Sequence, residues 1–430
     1  MGSLSTQTNT LKTNTSRRWK VMMKKGGFCV VGIILMLTLA LLTLTPRVSS
    51  PQSSKKPVVI ANLACFTGIG AEVNPWMLRA AELACDEFGW KVGGREIKLV
   101  SEDSASDPTI AADKTKKLLE VDKADAFIGP LPASAAFPVA AILKASGIPH
   151  MGILDLMPAL LRTGDHVFSH HGTHRGTGYF VGAYAYDVMG YRTATVVHDD
   201  VVFAEDYLQG AMDAFVSKGG KIIQRQRAPM NTMDYAPYFS NMKPADCCLF
   251  WFTASHTIQF LSQYSQYGFK MPLVQGGVTD LGQQKVAEMG EKVLNLISCS
   301  SYDACVKGPE VKSWIDRWVK LHSGKTEKEG KYPYYAEGCG MYAATSILLQ
   351  AIQSTKGDTT PSVFRQALKN GKFKTPWGEV SFNSDRVGIG NAYIMKAVKS
   401  GNTYTTADVY KYANVVKEEP VSVRDVAPKM

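Results

Sequence analysis

Residues 193–224, TATVVHDDVVFAEDYLQGAMDAFVSKGGKIIQ, carry the pattern that decides the fold. Thr193–Val197 is a short β-branched run, the composition of a buried strand. Tyr207–Ser217 places its apolar residues at helical spacing. Gly219–Gly220 ends that helix and leads into a second strand, Lys221–Gln224. Strand, helix and strand in about 30 residues make a βαβ unit, whose two strands lie parallel.

Working outward, the same alternation runs from residue 58 to about 298. Expected strands are Val58–Leu63, Glu96–Val100, Ala126–Ile128 and Ile148–Met151, with helices at Trp76–Phe88, Ala111–Leu119 and Ala135–Ala145. Trp76–Phe88 has apolar residues at 76, 77, 80, 81, 84, 85 and 88, one face of a helix. Beyond come helix Gly178–Met189, strand Cys247–Phe252, helix Thr257–Tyr267 and strands Leu273–Val274 and Val293–Ile297. After Cys299 the pattern turns helical, with Pro309–Leu321, Tyr335–Gln353 and Pro361–Asn370, before late strands at Glu379–Phe382 and Ala392–Val398. Lys320–Lys331 reads as a solvated loop, and the tail after Lys411 carries no period. Two runs of alternating elements predict an α/β protein with two doubly wound, Rossmann-like lobes on parallel sheets.

The chain of 430 residues has a formal charge of +10. That excess is local. Residues 1–56 hold nine basic residues and no acidic one, which leaves 39 basic against 38 acidic residues after them. A nearly neutral body excludes a nucleic-acid footprint. With 45% hydrophobic and 20% charged residues, it is also not a disordered chain.

Residues 1–20 are polar and expected to be disordered. Phe28–Leu44 is apolar, follows Lys24 and Lys25, and precedes Pro46, Ser49 and Ser50. Its 17 residues fall short of the roughly 20 that cross a bilayer comfortably. The layout is that of an export signal. Two readings stay open: a cleaved secretory signal, and an uncleaved membrane anchor, because no A-x-A exit is present. A start at Met22 or Met23 would give a signal of ordinary shape. Either reading puts residues 57–430 in the periplasm or another extracytoplasmic space, touching membrane only through the N-terminal segment.

Removal of Cys29 with the signal leaves seven cysteines, an odd number. Cys299 and Cys305 could close a local disulfide or remain buried thiols. Cys247 and Cys248, adjacent in a strand, point to opposite faces. Familiar cofactor and catalytic motifs are missing. Gly324-Lys325-Thr326 lacks the upstream glycine of a phosphate loop, because Val319 stands there. Thr67-Gly68-Ile69-Gly70 lacks the third glycine of a dinucleotide fingerprint. There is no H-E-x-x-H and no G-x-S-x-G. The expectation is a protein without cofactor or metal that is not an enzyme.

Several segments together give a sharper reading. Phe66-Thr67-Gly68 follows the first strand, and Ala80-Ala81-Glu82-Leu83-Ala84 lies in the next helix. Glu102-Asp103-Ser104-Ala105-Ser106-Asp107-Pro108 follows the second strand. Ile128-Gly129-Pro130 precedes Ala133-Ser134, Ser146-Gly147-Ile148-Pro149 precedes the fourth strand, and Val197-His198-Asp199-Asp200 ends a strand further on. In order and spacing the chain resembles the type I periplasmic binding proteins, closest to their leucine/isoleucine/valine-binding branch. The resemblance implies two lobes joined by three crossovers and closing on a ligand. Residues 57–170 plus 300–385 would form the first lobe, and 171–299 plus 386–430 the second lobe and tail.

The resemblance also implies a cleft lined by strand-to-helix loops. Ala133 and Ser134 would present backbone N–H groups and a hydroxyl to a ligand carboxylate at a helix start; a plain N-cap serine is the alternative. Other positions depart from the pattern of amino-acid binders. Leu154 and Leu156 stand where a small residue and a threonine are found, and Phe203 and Thr253 each replace a tyrosine. Gly277 replaces the glutamate that holds the ligand's ammonium, with Asp280 a candidate substitute. Val73 stands where an aromatic covers the ligand. A buried ammonium needs a carboxylate, so these changes favour a carboxylate with an apolar or aromatic body over a free α-amino acid. His170, His171, His174 and Arg175 cluster at the first expected crossover. Arg175 could clamp a carboxylate with its donor fork, and His174 could touch ligand or face solvent. The implied function is capture of a small organic molecule and delivery to the permease subunits of an ABC transporter. A receptor component that signals by lobe closure is the alternative.

Overall fold

The computed structural model describes residues 56–67, 74–131, 135–277, 281–322 and 336–427. The N-terminal segment, Val73, Ala133, Ser134, Asp280 and most of the Lys320–Lys331 loop lie outside the described residues. Among the described residues no helix is long and apolar enough to cross a membrane.

The first sheet holds β1 (Val58–Ala64), β2 (Lys91–Val92), β3 (Arg95–Asp103), β4 (Ala126–Ile128), β5 (His150–Met151) and β6 (Val167–Phe168), in the order β2-β3-β1-β4-β5-β6. Every neighbouring pair is parallel except the β2–β3 hairpin. Helices cover both faces of β1. Val58 and Ile60 pack with Trp76, Ala80 and Trp314, whereas Val59, Ala61 and Leu63 pack with Ala111, Val139 and Leu143. Burial on both sides is why this strand reads as an almost unbroken apolar run.

The second sheet starts with β7 (Thr193–Asp199), β8 (Lys221–Ala228), β9 (Cys247–Trp251), β10 (Leu273–Gln275) and β11 (Ile297–Ser300), parallel in the order β8-β7-β9-β10-β11. It continues through β12 (Phe373–Thr375), β13 (Gly378–Phe382), β14 (Gly388–Ser400) and β15 (Thr403–Val416). β14 runs antiparallel to β11 and carries both β13 and β15. Cys247 and Cys248 face different cores, as expected of neighbours in a strand. The seven cysteines after the N-terminal segment are free thiols, Cys299 and Cys305 among them.

Three local readings change. The helix expected from Gly178 starts at His174, because Thr173 Oγ1 accepts from Gly176 N at 3.0 Å and caps it. Its glycines are contact points, not breakers: a Cβ on Gly178 would lie 1.9 Å from Tyr207 O, and one on Gly182 2.0 Å from Ala211 O. They let it press against the helix Val202–Ser217. Gly290–Val293 is a 3₁₀ turn, so the last parallel strand begins later than expected, at Ile297. The first part of the tail after Lys411, up to Val416, belongs to β15, an edge strand with one buried side chain among its 14 residues, which erases any alternation.

Among the described residues the chain passes between the sheets three times, and the passages are bonded side by side. Ser169 N donates to Arg386 O and Gly388 N to Ser169 O. Ser301 Oγ donates to His171 O, and Tyr302 OH to His170 O. Lys417 N donates to Gly388 O, and Lys417 O accepts from Thr173 N. The buried Lys417 ammonium donates to His170 O at 3.2 Å and lies 4.7 Å from the Tyr302 ring centroid.

Candidate functional site

In an open parallel sheet, ligands bind beyond the carboxyl ends of strands, where the strand order reverses. The reversal falls between β1 and β4 in the first sheet and between β7 and β9 in the second. One wall of the site is therefore built from Cys65–Thr67, Asp103–Ser106, Gly129–Leu131 and Gly152–Asp155. The other comes from Asp199–Phe203, Thr253 and Gly276–Gly277.

Asp155 joins the walls. It is 3% exposed. Its Oδ2 accepts from Thr177 Oγ1 at 2.7 Å and its Oδ1 from Tyr207 OH at 2.5 Å, both on second-lobe helices. Backbone bonds flank it, from Leu156 N to Gly172 O and from His174 N to Leu156 O. Leu156 is buried against Leu160 and Val387, and Leu154 packs on the first-lobe core. Both expected leucines thus frame a carboxylate that the sequence reading passed over.

Glu337 is the second acid on this wall, near the start of the helix Ala336–Ser354. Burial pushes its carboxyl up to about 7, and the negative charge of Asp155 pushes the same way. Its Oε2 has no hydrogen-bond partner. The only advance signal is an acid inside the small-residue segment Ala336-Glu337-Gly338.

The second wall carries a run of rings. His174 stacks on Tyr207 with centroids 4.4 Å apart, Tyr207 on Trp251 at 5.5 Å, and Phe203 meets Trp251 edge-on at 5.2 Å. Gly277 lies under this run; a Cβ there would come within 2.5 Å of the Tyr207 ring. Thr253 N and Oγ1 both donate to Asp199 Oδ2, while His256 Nδ1 contacts Asp199 Oδ1 at 2.8 Å. Trp76, Trp251 and Phe252 belong to the apolar cores.

Arg175 faces carboxylates of its own chain: Glu419 at 3.2 Å, Asp425 at 3.0 Å, and Asp206 and Asp213 at 3.7 Å. It lines a cavity of about 570 Å³ between Phe137 and Met157 of the first lobe and Val202 and Asp206 of the second. His170 and His171 are buried beside Tyr302, with ring centroids 5.1 and 5.2 Å from it. Among the described residues no group of three His, Cys, Asp or Glu side chains could hold a metal ion. Ala133, Ser134 and Asp280 lie outside the described residues.

Residues 57–402 match the family described as periplasmic binding protein. The chain is 23% identical over 336 residues to the Leu/Ile/Val-binding protein homolog 6 of Brucella suis biovar 1, covering 76% of this chain and 84% of that one. Among solved structures it is similar to an ABC transporter substrate-binding protein from Sphaerobacter thermophilus, with a TM-score of 0.78 and 24% identity over 85% of this chain and 100% of that one. It is also similar to a solute-binding protein of an ABC transporter from Rhodopseudomonas palustris BisB5 in complex with 3,4-dihydroxybenzoic acid, with a TM-score of 0.74 and 19% identity over 85% and 99% of the two chains. With 57–402 matched, this two-lobed chain belongs to the periplasmic binding protein family.

Proposed function

We propose that this chain is an exported solute-binding protein. It captures an amino acid, an amide or a carboxylate such as an aromatic acid between its lobes and delivers it to the permease subunits of an ABC transporter, without chemistry of its own. The observation that carries this reading is the pair of carboxyl edges facing each other across a cleft that Asp155 spans. The Brucella protein, named for Leu/Ile/Val binding, and the Rhodopseudomonas protein, in complex with 3,4-dihydroxybenzoic acid, support the amino-acid and aromatic-acid classes.

Closure follows from the same geometry. The bonds from Thr177 and Tyr207 to Asp155 hold the two walls together in this structure. A ligand that touches both walls adds contacts in that state alone and so shifts the population toward it. Ala133, Ser134, Leu154, His174, Phe203 and Asp280 remain the proposed ligand-facing positions, whereas Leu156 packs against Leu160 and Val387, Thr253 bonds Asp199 and Gly277 lies under the Tyr207 ring. Arg175 in this reading holds the C-terminal segment beside the cleft.

The test is native mass spectrometry of protein purified without refolding, followed by thermal unfolding with amino acids, amides and aromatic acids. A retained small molecule is expected, and at 100 times its Kd it should stabilise the protein by about 2.7 kcal/mol. No retained molecule and no stabilisation across the panel would sink the proposal.

A further inference from the structure

Burial without a partner is costly for any polar atom and most costly for a charged one. The other buried acids of the second lobe and cleft have donors or a cation: Glu419, whose Oε1 also lacks a hydrogen bond, pairs through Oε2 with Arg175 at 3.2 Å. Asp199 takes Thr253 N, Thr253 Oγ1 and His256 Nδ1; Asp213 takes the backbone N–H groups of Asp425 and Ala427; Asp155 takes Thr177 and Tyr207. Glu337, 5% exposed, leaves Oε2 without a donor. Its surroundings place it at the cleft edge of the first sheet. It acts electrostatically on Cys65 at the end of β1, and Asp155 acts on it from the end of β5. Across the cleft, Trp251 Nε1 is likewise buried and unpartnered.

The charges do not balance. Lys417 sits in the field of Asp155 from the hinge side. Among the described residues no Lys or Arg forms an ion pair with Glu337 or Asp155. Whenever Glu337 is ionised, the first wall therefore carries a negative charge without a counterion among the described residues.

We propose that Glu337 is the charge partner of the ligand: the solute carries a protonated nitrogen, and that nitrogen donates to Glu337 Oε2. This rests on the solute-binding reading and narrows it, placing the ammonium-recognising acid on the first wall. Simple aromatic acids become poor ligands and amine-bearing ones good ligands.

The experiment is calorimetric titration of the purified full-length chain with matched pairs: L-leucine and 4-methylpentanoate, L-phenylalanine and 3-phenylpropanoate, 4-(aminomethyl)benzoate and 4-methylbenzoate. The amine-bearing member of at least one pair should bind tenfold or more tighter. Glu337→Gln should abolish that preference and Glu337→Asp should keep part of it, with thermal unfolding of each variant establishing that it is folded. Equal or tighter binding of the acid lacking the amine, or an unchanged preference in Glu337→Gln, overturns the proposal and leaves the solute-binding reading standing. If no probe binds, the solute retained in native mass spectrometry decides. One with a protonatable nitrogen supports the proposal and one without overturns it. Retention of nothing removes the proposal together with the reading beneath it.

Discussion

Asp199 on the second wall and Glu337 on the first are both acids buried at the carboxyl edge of a sheet. Asp199 is fully buried and gathers the start of the helix Ala254–Gln266 through Thr253 and His256. Glu337 is nearly as buried and offers an oxygen that nothing takes. The second wall is closed on itself: Thr253 is tied down, four rings run in contact from His174 to Phe203, and Gly277 is filled over by Tyr207. A buried acid with its donors in place is architecture. Glu337 has neither such donors at Oε2 nor a cation beside it among the described residues, unlike Glu419, whose Oε2 pairs with Arg175.

Three substitutions break or sharpen this contrast. The largest effect belongs to Asp199→Ala. It strands Thr253 N–H and His256 in a buried site and should lower stability by about 3–5 kcal/mol in urea unfolding. A loss below about 1 kcal/mol would mean that Asp199 is no more structural than Glu337. Gly277→Glu comes next. Its side chain meets the Tyr207 ring, so about 2 kcal/mol should be lost in thermal unfolding through overpacking. Unchanged stability would show that the second wall has room for an acid after all.

Glu337→Gln should act in the opposite direction and more weakly. The carboxyl is held at about 7 against an ordinary value of 4.5, so folding takes up a proton between those pH values. The groups acting with it are Asp155 and Cys65. Stability therefore falls as pH rises from about 4.5 through 7, and Glu337→Gln removes that fall. The ligand-free variant should be more stable than the parent by about 1–2 kcal/mol at pH 8 and equal to it near pH 4. Urea unfolding at the two pH values checks this, and a variant less stable at pH 8 contradicts an unpaired carboxylate.

The fold is legible in the sequence wherever elements are buried on both faces. β1 and β9 announce themselves as apolar runs, and the βαβ unit at 193–224 shows its glycine break. β15 is not legible, because an exposed edge strand needs no alternation. The early start of the helix at His174 is hidden by glycines that serve close packing. The site is less legible than the fold. The segment Met151–Met157 displays Leu154 and Leu156 as departures in a familiar loop, yet the residue that matters between them is the lone acid, Asp155. Arg175 reads as a ligand clamp because its partners Glu419 and Asp425 lie 244 and 250 residues away, beyond any local pattern. Glu337 stands out only once burial is known.

The stitching of the three passages by Lys417 has a consequence for the order in which the molecule is made. The first sheet is complete in sequence by Phe168, but β11 waits for β14, and the hinge waits for Lys417. At roughly 5–20 residues per second, about 6–23 s separate the synthesis of β11 from that of Lys417. Until β14 follows, the β11 side of the second sheet is an open edge, the kind of surface that recruits foreign strands. The nascent chain is thus two lobes without a joint, and the part that lets them move as a pair is finished last.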